Sequence, residues 1–257
     1  MFLQLSNITK QFENQGKIQT VLSPIDVTIE EGEFVSILGP SGCGKSTLLS
    51  IVAGLTKPTT GEIRLQDSVI TKPGKDRGMV FQQAALFPWM SVEENVLFAV
   101  RDSKNKEEKV ERAHHFLKMV QLSSNLNQYP HELSGGMQQR VSIARALAMD
   151  PTVLLMDEPF GALDEQTRLR MQQELETIWL ETKKTILFVT HSIYESIKLS
   201  DRILVMGTRP GSIIANIKVD IDRPRLRTNE RVVNLEGEIS SLLQKEIEKV
   251  VQEELKI

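Results

Sequence analysis

One cysteine, Cys43, stands in 257 residues. No disulfide can form within the chain, and such thiol usage fits a reducing cytoplasm. Aromatic residues make up only 5%, too few for stacking platforms along a single-stranded nucleic acid. Excess positive charge is lacking as well. The 31 lysines and arginines face 34 aspartates and glutamates, for a formal net charge of −3, so there is no electrostatic footprint for nucleic acid. The longest unbroken apolar run, Val96 to Val100, is five residues, against roughly twenty for a membrane-crossing helix. The opening residues, MFLQLSNITKQFENQ, show no basic segment followed by an apolar stretch, so no secretory signal is visible. What is present is 40% hydrophobic and 25% charged residues, the balance of a globular chain. The length suits one large domain or two modest ones.

Short apolar runs alternate with helical patterns. Phe2, Leu3 and Leu5 fall in a strand-like run, and Val21 to Ile29 forms a second. Glu33 to Leu38 has the texture of a buried strand and stops at Gly39-Pro40, and Lys45 to Ala53 reads as a helix. Met79 to Gln82, Val153 to Met156, Thr185 to Val189 and Ile203 to Met206 read as further strands. Lys104 to Val120, Gly136 to Met149 and Gln166 to Leu180 have helical spacing. This alternation predicts an α/β core with a mostly parallel sheet, preceded by an antiparallel β subdomain. Residues 86 to 135 carry few strand signals, which predicts an inserted helical subdomain, bounded at about 86–150. From Asn229, apolar residues recur in steps of three and four and predict a long amphipathic helix, 229–257, read as capping the core, with a partner-binding helix as the alternative. Arg223-Pro224-Arg225 before it reads as a solvated linker, and His114 and His115 as solvated residues of a charged helix.

Gly39 to Ser46 reads GPSGCGKS, the spacing G-x-x-x-x-G-K-[ST] between a strand and a helix. Glycines let successive N–H groups turn toward a polyphosphate, at a helix N-terminus whose dipole favours negative charge. In such a cradle Lys45 neutralises β/γ-phosphates and the Ser46 hydroxyl binds Mg²⁺. Cys43 within it fits the turn as a small residue. Val153 to Glu158 reads VLLMDE: an apolar strand delivers two carboxylates to its C-terminal end, where parallel sheets place ligands. Asp157 suits Mg²⁺, and Glu158 suits polarising a water that attacks the γ-phosphate. Leu133 to Met137 reads LSGGM before another helix. Ser134 suits an N-cap, and Gly135-Gly136 leave backbone donors uncovered for a second anion.

One nucleotide has no use for two cradles unless two chains share it. With these motifs in order, residues from about 3 to 220 resemble the ATP-binding subunits of ATP-binding-cassette transporters. LSGGMQQR is similar to that family's signature motif. The resemblance implies an α/β P-loop NTPase core, of the ABC-type nucleotide-binding domain over 1–228, with an N-terminal antiparallel β subdomain and an inserted helical subdomain. It places Phe12 where an aromatic stacks on adenine and Gln82 at the glutamine that couples the metal to the membrane partner. Ala162-Leu163-Asp164 looks like the D-loop, and His191 like the switch histidine at the γ-phosphate. The implied nucleotide set is Phe12, Gly39, Pro40, Ser41, Gly42, Cys43, Gly44, Lys45, Ser46 and Thr47, with Gln82, Ser134, Gly135, Gly136 and Asp164. Glu158, His191 and Lys45 would carry catalysis, and Ser46, Gln82 and Asp157 the metal. ATP and Mg²⁺ are the implied cofactors.

FQQAALFPWMSVEENV, DEPFGALDEQTR and VMGTRPGSI resemble the nitrate/sulfonate/taurine group of importers. Gln83 and Ala84 depart from that pattern, where an acidic residue and proline are usual. The implied partners are a second copy or a paired ATP-binding subunit, transmembrane permease subunits and, indirectly, a solute-binding protein, with no nucleic acid. The implied place is the cytoplasmic face of the membrane, peripherally bound. Trp89, in LFPWM, reads either as core or as an exposed anchor for a permease helix. A soluble cassette ATPase acting on nucleic acid or ribosomes is the alternative, and a simple P-loop kinase a third reading that LSGGM opposes.

Overall fold

The computed structural model describes residues 1–14, 16–100, 105–161 and 163–254. Lys104, Ala162 and Leu255, on which expectations above fall, lie outside the described residues, as do the side chains of Val250 and Val251. In chain order the strands are β1 (Leu3–Asn14), β2 (Lys17–Ile29), β3 (Phe34–Leu38), β4 (Thr60–Leu65), β5 (Ser68–Val69), β6 (Arg77–Val80), β7 (Val153–Asp157), β8 (Thr185–Thr190), β9 (Arg202–Gly207) and β10 (Ser212–Lys218). The helices are α1 (Lys45–Val52), α2 (Val92–Ala99), α3 (Lys106–Met119), α4 (Gly135–Ala148), α5 (Glu165–Thr182), α6 (Ile193–Leu199) and α7 (Glu230–Glu254). They divide into two compact units, Met1–Gly74 with Thr185–Ile257, and Lys75–Lys184.

In the first unit, β2, β1, β4 and β5 make an antiparallel sheet in that order. β3 lies between β8 and β9 with parallel pairing on both sides, and β10 runs antiparallel beside β9. β3 reads FVSIL and β8 TILFVT, and every residue of both is buried, as parallel strands covered on both faces require. Their polar members find partners: Ser200 Oγ donates to Ser36 Oγ at 2.8 Å. Helix α7 belongs to this unit. Val232 and Ile239 are fully buried in a cluster with Leu38, Tyr194, Ile197 and Val205, and Leu235 and Leu243 lie against it. Each such buried side chain contributes about 1.5–3 kcal/mol, so α7 closes the core, as its spacing predicted.

The segment before α7 overturns the linker reading. Arg225 is 3% exposed. Its guanidinium donates to the carbonyls of Ile221 (2.7 Å), Ile197 (2.7 Å), Ser200 (2.6 Å) and Val219 (3.1 Å). Arg223 donates to Leu199 O and pairs with Asp201 at 2.9 Å. Five-donor arginine is here a plug for carbonyls that no strand or helix satisfies.

In the second unit β6 and β7 pair in parallel, and α2, α3 and α4 pack on one another. β6 ends at Val80, so Gln82 lies two residues past the strand instead of within it. His114 is not merely solvated: its Nε2 stands 2.6 Å from Glu93 Oε1, tying α3 to α2. The short helix α2, unread in the sequence, starts with a capping box between Ser91 and Glu94.

Candidate active site

In the first unit, strand register sets the positions of the candidate residues. Leu38 pairs with Thr190 on one side and Val205 on the other, so β3 and β8 end level while β9 runs on to Gly207. Gly39 and His191 therefore leave neighbouring parallel strands at their carboxyl edge. The loop 39–46 then turns into α1. Gly44 has φ +98°, and a Cβ on it would stand 2.6 Å from Leu22 Cδ2. A Cβ on Gly39 would stand 2.7 Å from Met206 O. Both glycines are therefore demanded by geometry, while Gly42, at φ +78°, opens onto space.

Helix α1 begins with no side-chain cap and no acid in its first turn. Its N-cap residue, Gly44, has no side chain to offer the leading backbone donors, an arrangement that favours an anion. Lys45 is 5% exposed, and its Nζ donates to Gly39 O at 2.8 Å and Pro40 O at 3.0 Å. Ser41 and Ser46 are exposed, and Pro40 and Thr47 half-buried. Cys43 is buried, so its thiol packs inside the turn. Phe12, on β1, is 44% exposed, so it is not core. Lys10 Nζ lies 4.7 Å from its ring centroid. Exposed His191 is held at its base: buried Thr190 donates to Glu195 Oε2 at 2.5 Å and accepts from Ser192 N at 3.0 Å.

The second unit repeats the device. Val80 pairs with Met156, so the chains toward Gln82 and toward Asp157 and Glu158 leave adjacent strands together. Glu158 sits at φ 44°, a left-handed backbone uncommon for a non-glycine and frequent at functional sites. A Cβ on Gly161 would lie 3.4 Å from Gln82 Nε2 and 3.8 Å from Glu158 Oε2. Those two side chains thus gather beside Gly161, at ordinary contact distance from its Cβ position. Asp157 and Glu158 are half-buried and Gln82 is exposed.

Helix α4 braces this edge. Gln139 Nε2 donates to Phe81 O at 3.1 Å, and Arg145 Nη2 to Ala84 O at 3.2 Å. Ser134 caps α4, accepting from Met137 N at 3.3 Å. Ser134 and Gly135 are exposed, and the space at the Gly135 Cβ position is open. Gly136 differs: it is buried, and its Cβ would meet Thr167 Cγ2 at 2.7 Å. The missing side chain there permits the close approach of α5. Asp164 caps α5. Thr167 N–H donates to its Oδ1 at 3.0 Å, and that bond holds the carboxyl below its ordinary range. Arg168 fixes the preceding loop through Leu163 O (2.7 Å) and Phe160 O (3.3 Å).

Trp89 is 69% exposed, which overturns its core reading. Asn95, fully buried, donates to Phe87 O, Met90 O and Ser91 O and accepts from Phe87 N. That one amide shapes the loop presenting Trp89, whose ring lies 5.7 Å from Phe87. An apolar hollow of about 360 Å³, lined by Met79, Phe81, Phe87 and Phe98, opens in the same unit. Gln139, Arg145, Arg168 and Asn95 were missed as supports. Their signal is weak: a lone polar residue at a position whose helical neighbours are apolar.

A family model described as ABC transporter matches residues 22–161. The chain is 48% identical over 246 residues to an ABC transporter ATP-binding protein of Methanocaldococcus jannaschii, covering 95% of this chain and 92% of that one. It is 46% identical over 232 residues to the aliphatic sulfonates import ATP-binding protein SsuB of Bacillus cereus, covering 90% and 91%. Among solved structures, a dimeric ATP-binding cassette in a post-hydrolysis state, bound to ADP and Pi, matches with a TM-score of 0.75 at 37% identity. That match covers 86% of this chain and all of the other.

Proposed function

We propose that this chain, which belongs to the ABC transporter family, is the ATP-hydrolysing subunit that energises an importer of a small anion or organosulfonate. The reading rests on the start of α1, where uncapped donors and Lys45 form a polyphosphate cradle. The high identity to the sulfonate-import subunit supports the solute class.

Water attacks the γ-phosphorus in line, and the bond to the β–γ bridging oxygen breaks. Glu158 accepts a hydrogen bond from that water and aligns it. Lys45 and the backbone donors of loop 39–46 meet the charge that grows on the phosphates, and His191 contacts the γ-phosphate. Phe12 offers the adenine an exposed ring. For Mg²⁺ the donors fit: the exposed Ser46 hydroxyl, the half-buried Asp157 carboxylate and the Gln82 carbonyl are hard oxygens of the kind this ion takes. When bound, the ion neutralises β- and γ-phosphate charge.

Each ATP is shared with a second copy, or a paired ATP-binding subunit, whose Ser134, Gly135 and Gly136 close over the γ-phosphate, with Asp164 beside them. The likeness to a cassette solved as a dimer with ADP and Pi supports this. Closure and opening pass to permease subunits through Gln82 and the loop around Trp89, and a solute-binding protein delivers the solute to them. No described helix is long and apolar enough to cross a membrane; separate permease chains are the proposed partners, and the cytoplasmic face is the proposed place of attachment.

Light scattering on Glu158→Gln decides the shared site. The variant should form a stable dimer in saturating ATP and dissociate in ADP. A monomer in both nucleotides would refute the sharing.

A further inference from the structure

The phosphate loop leans on a wall formed by the turn within VMGTRPGSI. Gly211, in the turn 208–211 joining β9 to β10, lies against it: a Cβ there would stand 2.0 Å from the carbonyl oxygen of Cys43 and 3.1 Å from that of Val21. The same residue is stitched to β2. Its N–H donates to Val21 O at 2.9 Å, and its carbonyl accepts from Ser23 N at 2.9 Å. Between those two bonds sits Leu22, the residue that presses on Gly44, while Met206 O presses on Gly39. Gly39, Cys43 and Gly44 thus each back onto this turn, the end of β9, or the strand to which the turn is bonded.

Helix α7 holds the other side of the turn. Thr208 N–H donates to Glu246 Oε2 at 3.3 Å. Gly207 makes room for that carboxylate, because a Cβ on it would stand 2.5 Å from the same oxygen. A line of direct contacts therefore runs from the C-terminal helix through the turn to the loop that cradles phosphate.

We propose that Gly211 and Glu246 are positioning residues for nucleotide: Gly211 sets how deep the phosphate loop sits, and Glu246 holds the turn that carries it. The inference rests on reading the loop 39–46 as the ATP cradle. Backbone donors bind an anion well only when held within about half an ångström of the right place. A side chain at 211 must displace the Cys43 carbonyl, and with it the N–H groups of the glycines on either side. The groups that align water are elsewhere, so binding suffers more than turnover. Every phosphate of the nucleotide is served by the same loop, so ATP and ADP should weaken together.

The test titrates a fluorescent ATP analogue and ADP into the full chain and measures KM, kcat and melting temperature for each variant. Gly211→Ala should weaken both nucleotides about tenfold or more, and Glu246→Ala by about two- to tenfold, the worth of one hydrogen bond. KM should rise more than kcat falls. Glu246→Gln keeps an acceptor oxygen and should return KM to within about twofold of wild type. If Gly211→Ala does not fold, the Glu246 pair decides. Wild-type KM in Glu246→Ala, with only a lowered melting temperature, would make the contact merely structural and overturn the proposal. Wild-type protein that binds no ATP would overturn the cradle reading itself, and this inference with it.

Discussion

Lys45 reaches back across its own loop to donate to the carbonyl oxygen of Gly39, 2.8 Å away. Six residues apart in sequence, the two close the cradle into a ring, with Pro40 O as the second acceptor at 3.0 Å. The ammonium is thereby held where a polyphosphate would meet it, so little side-chain freedom is lost on binding. Lys45→Ala should weaken ATP at least about tenfold, since a hydrogen bond to a charged group is worth about 1.5–3 kcal/mol. Equilibrium dialysis with radiolabelled ATP reads this directly. Unchanged affinity would remove Lys45 from the phosphate site.

Trp89→Ala should leave the melting temperature nearly unchanged, because an exposed side chain contributes within about 0.5 kcal/mol. ATPase activity of the isolated chain should persist. Recovery of the chain with permease in detergent should fall, as expected for an aromatic anchor. Full recovery with permease would place the docking surface elsewhere.

Arg225→Ala should cost about 3 kcal/mol or more, because four buried carbonyls lose a charged donor at once. Urea unfolding measures it. Arg225→Lys should recover only part of the loss, since an ammonium has three donors in place of the guanidinium fork. A loss within about 0.5 kcal/mol would mean that water replaces the guanidinium freely.

What the chain's order of residues reveals follows from the range of the forces involved. GPSGCGKS and VLLMDE are legible because their chemistry needs a fixed local spacing next to a buried strand. Ser134 reads as a cap for the same reason, and it caps α4. Arg225 reads as solvated because its acceptors come from residues as distant as Ile197, and nothing local announces a carbonyl left unpaired by the fold. That Gly136 also makes room for a neighbouring helix is not legible, because Thr167, which fills the space beside it, lies far along the chain on α5. Gly61 marks a strand that the sequence hides: at φ +84° its Cβ position falls 2.3 Å from Asn7 O, so β4 exists through its contact with β1 more than through its own pattern.

The most direct measurement of the central claim is phosphate release by Glu158→Gln beside wild type, each saturated with MgATP. Glutamine keeps the shape of the side chain and removes the negative acceptor, while Lys45, Ser46 and Asp157 are untouched. Wild type should turn over, and the variant should release phosphate at least about 10²-fold more slowly, the scale of a positioned general base, with ATP still bound. Near-wild-type release from Glu158→Gln would contradict the account.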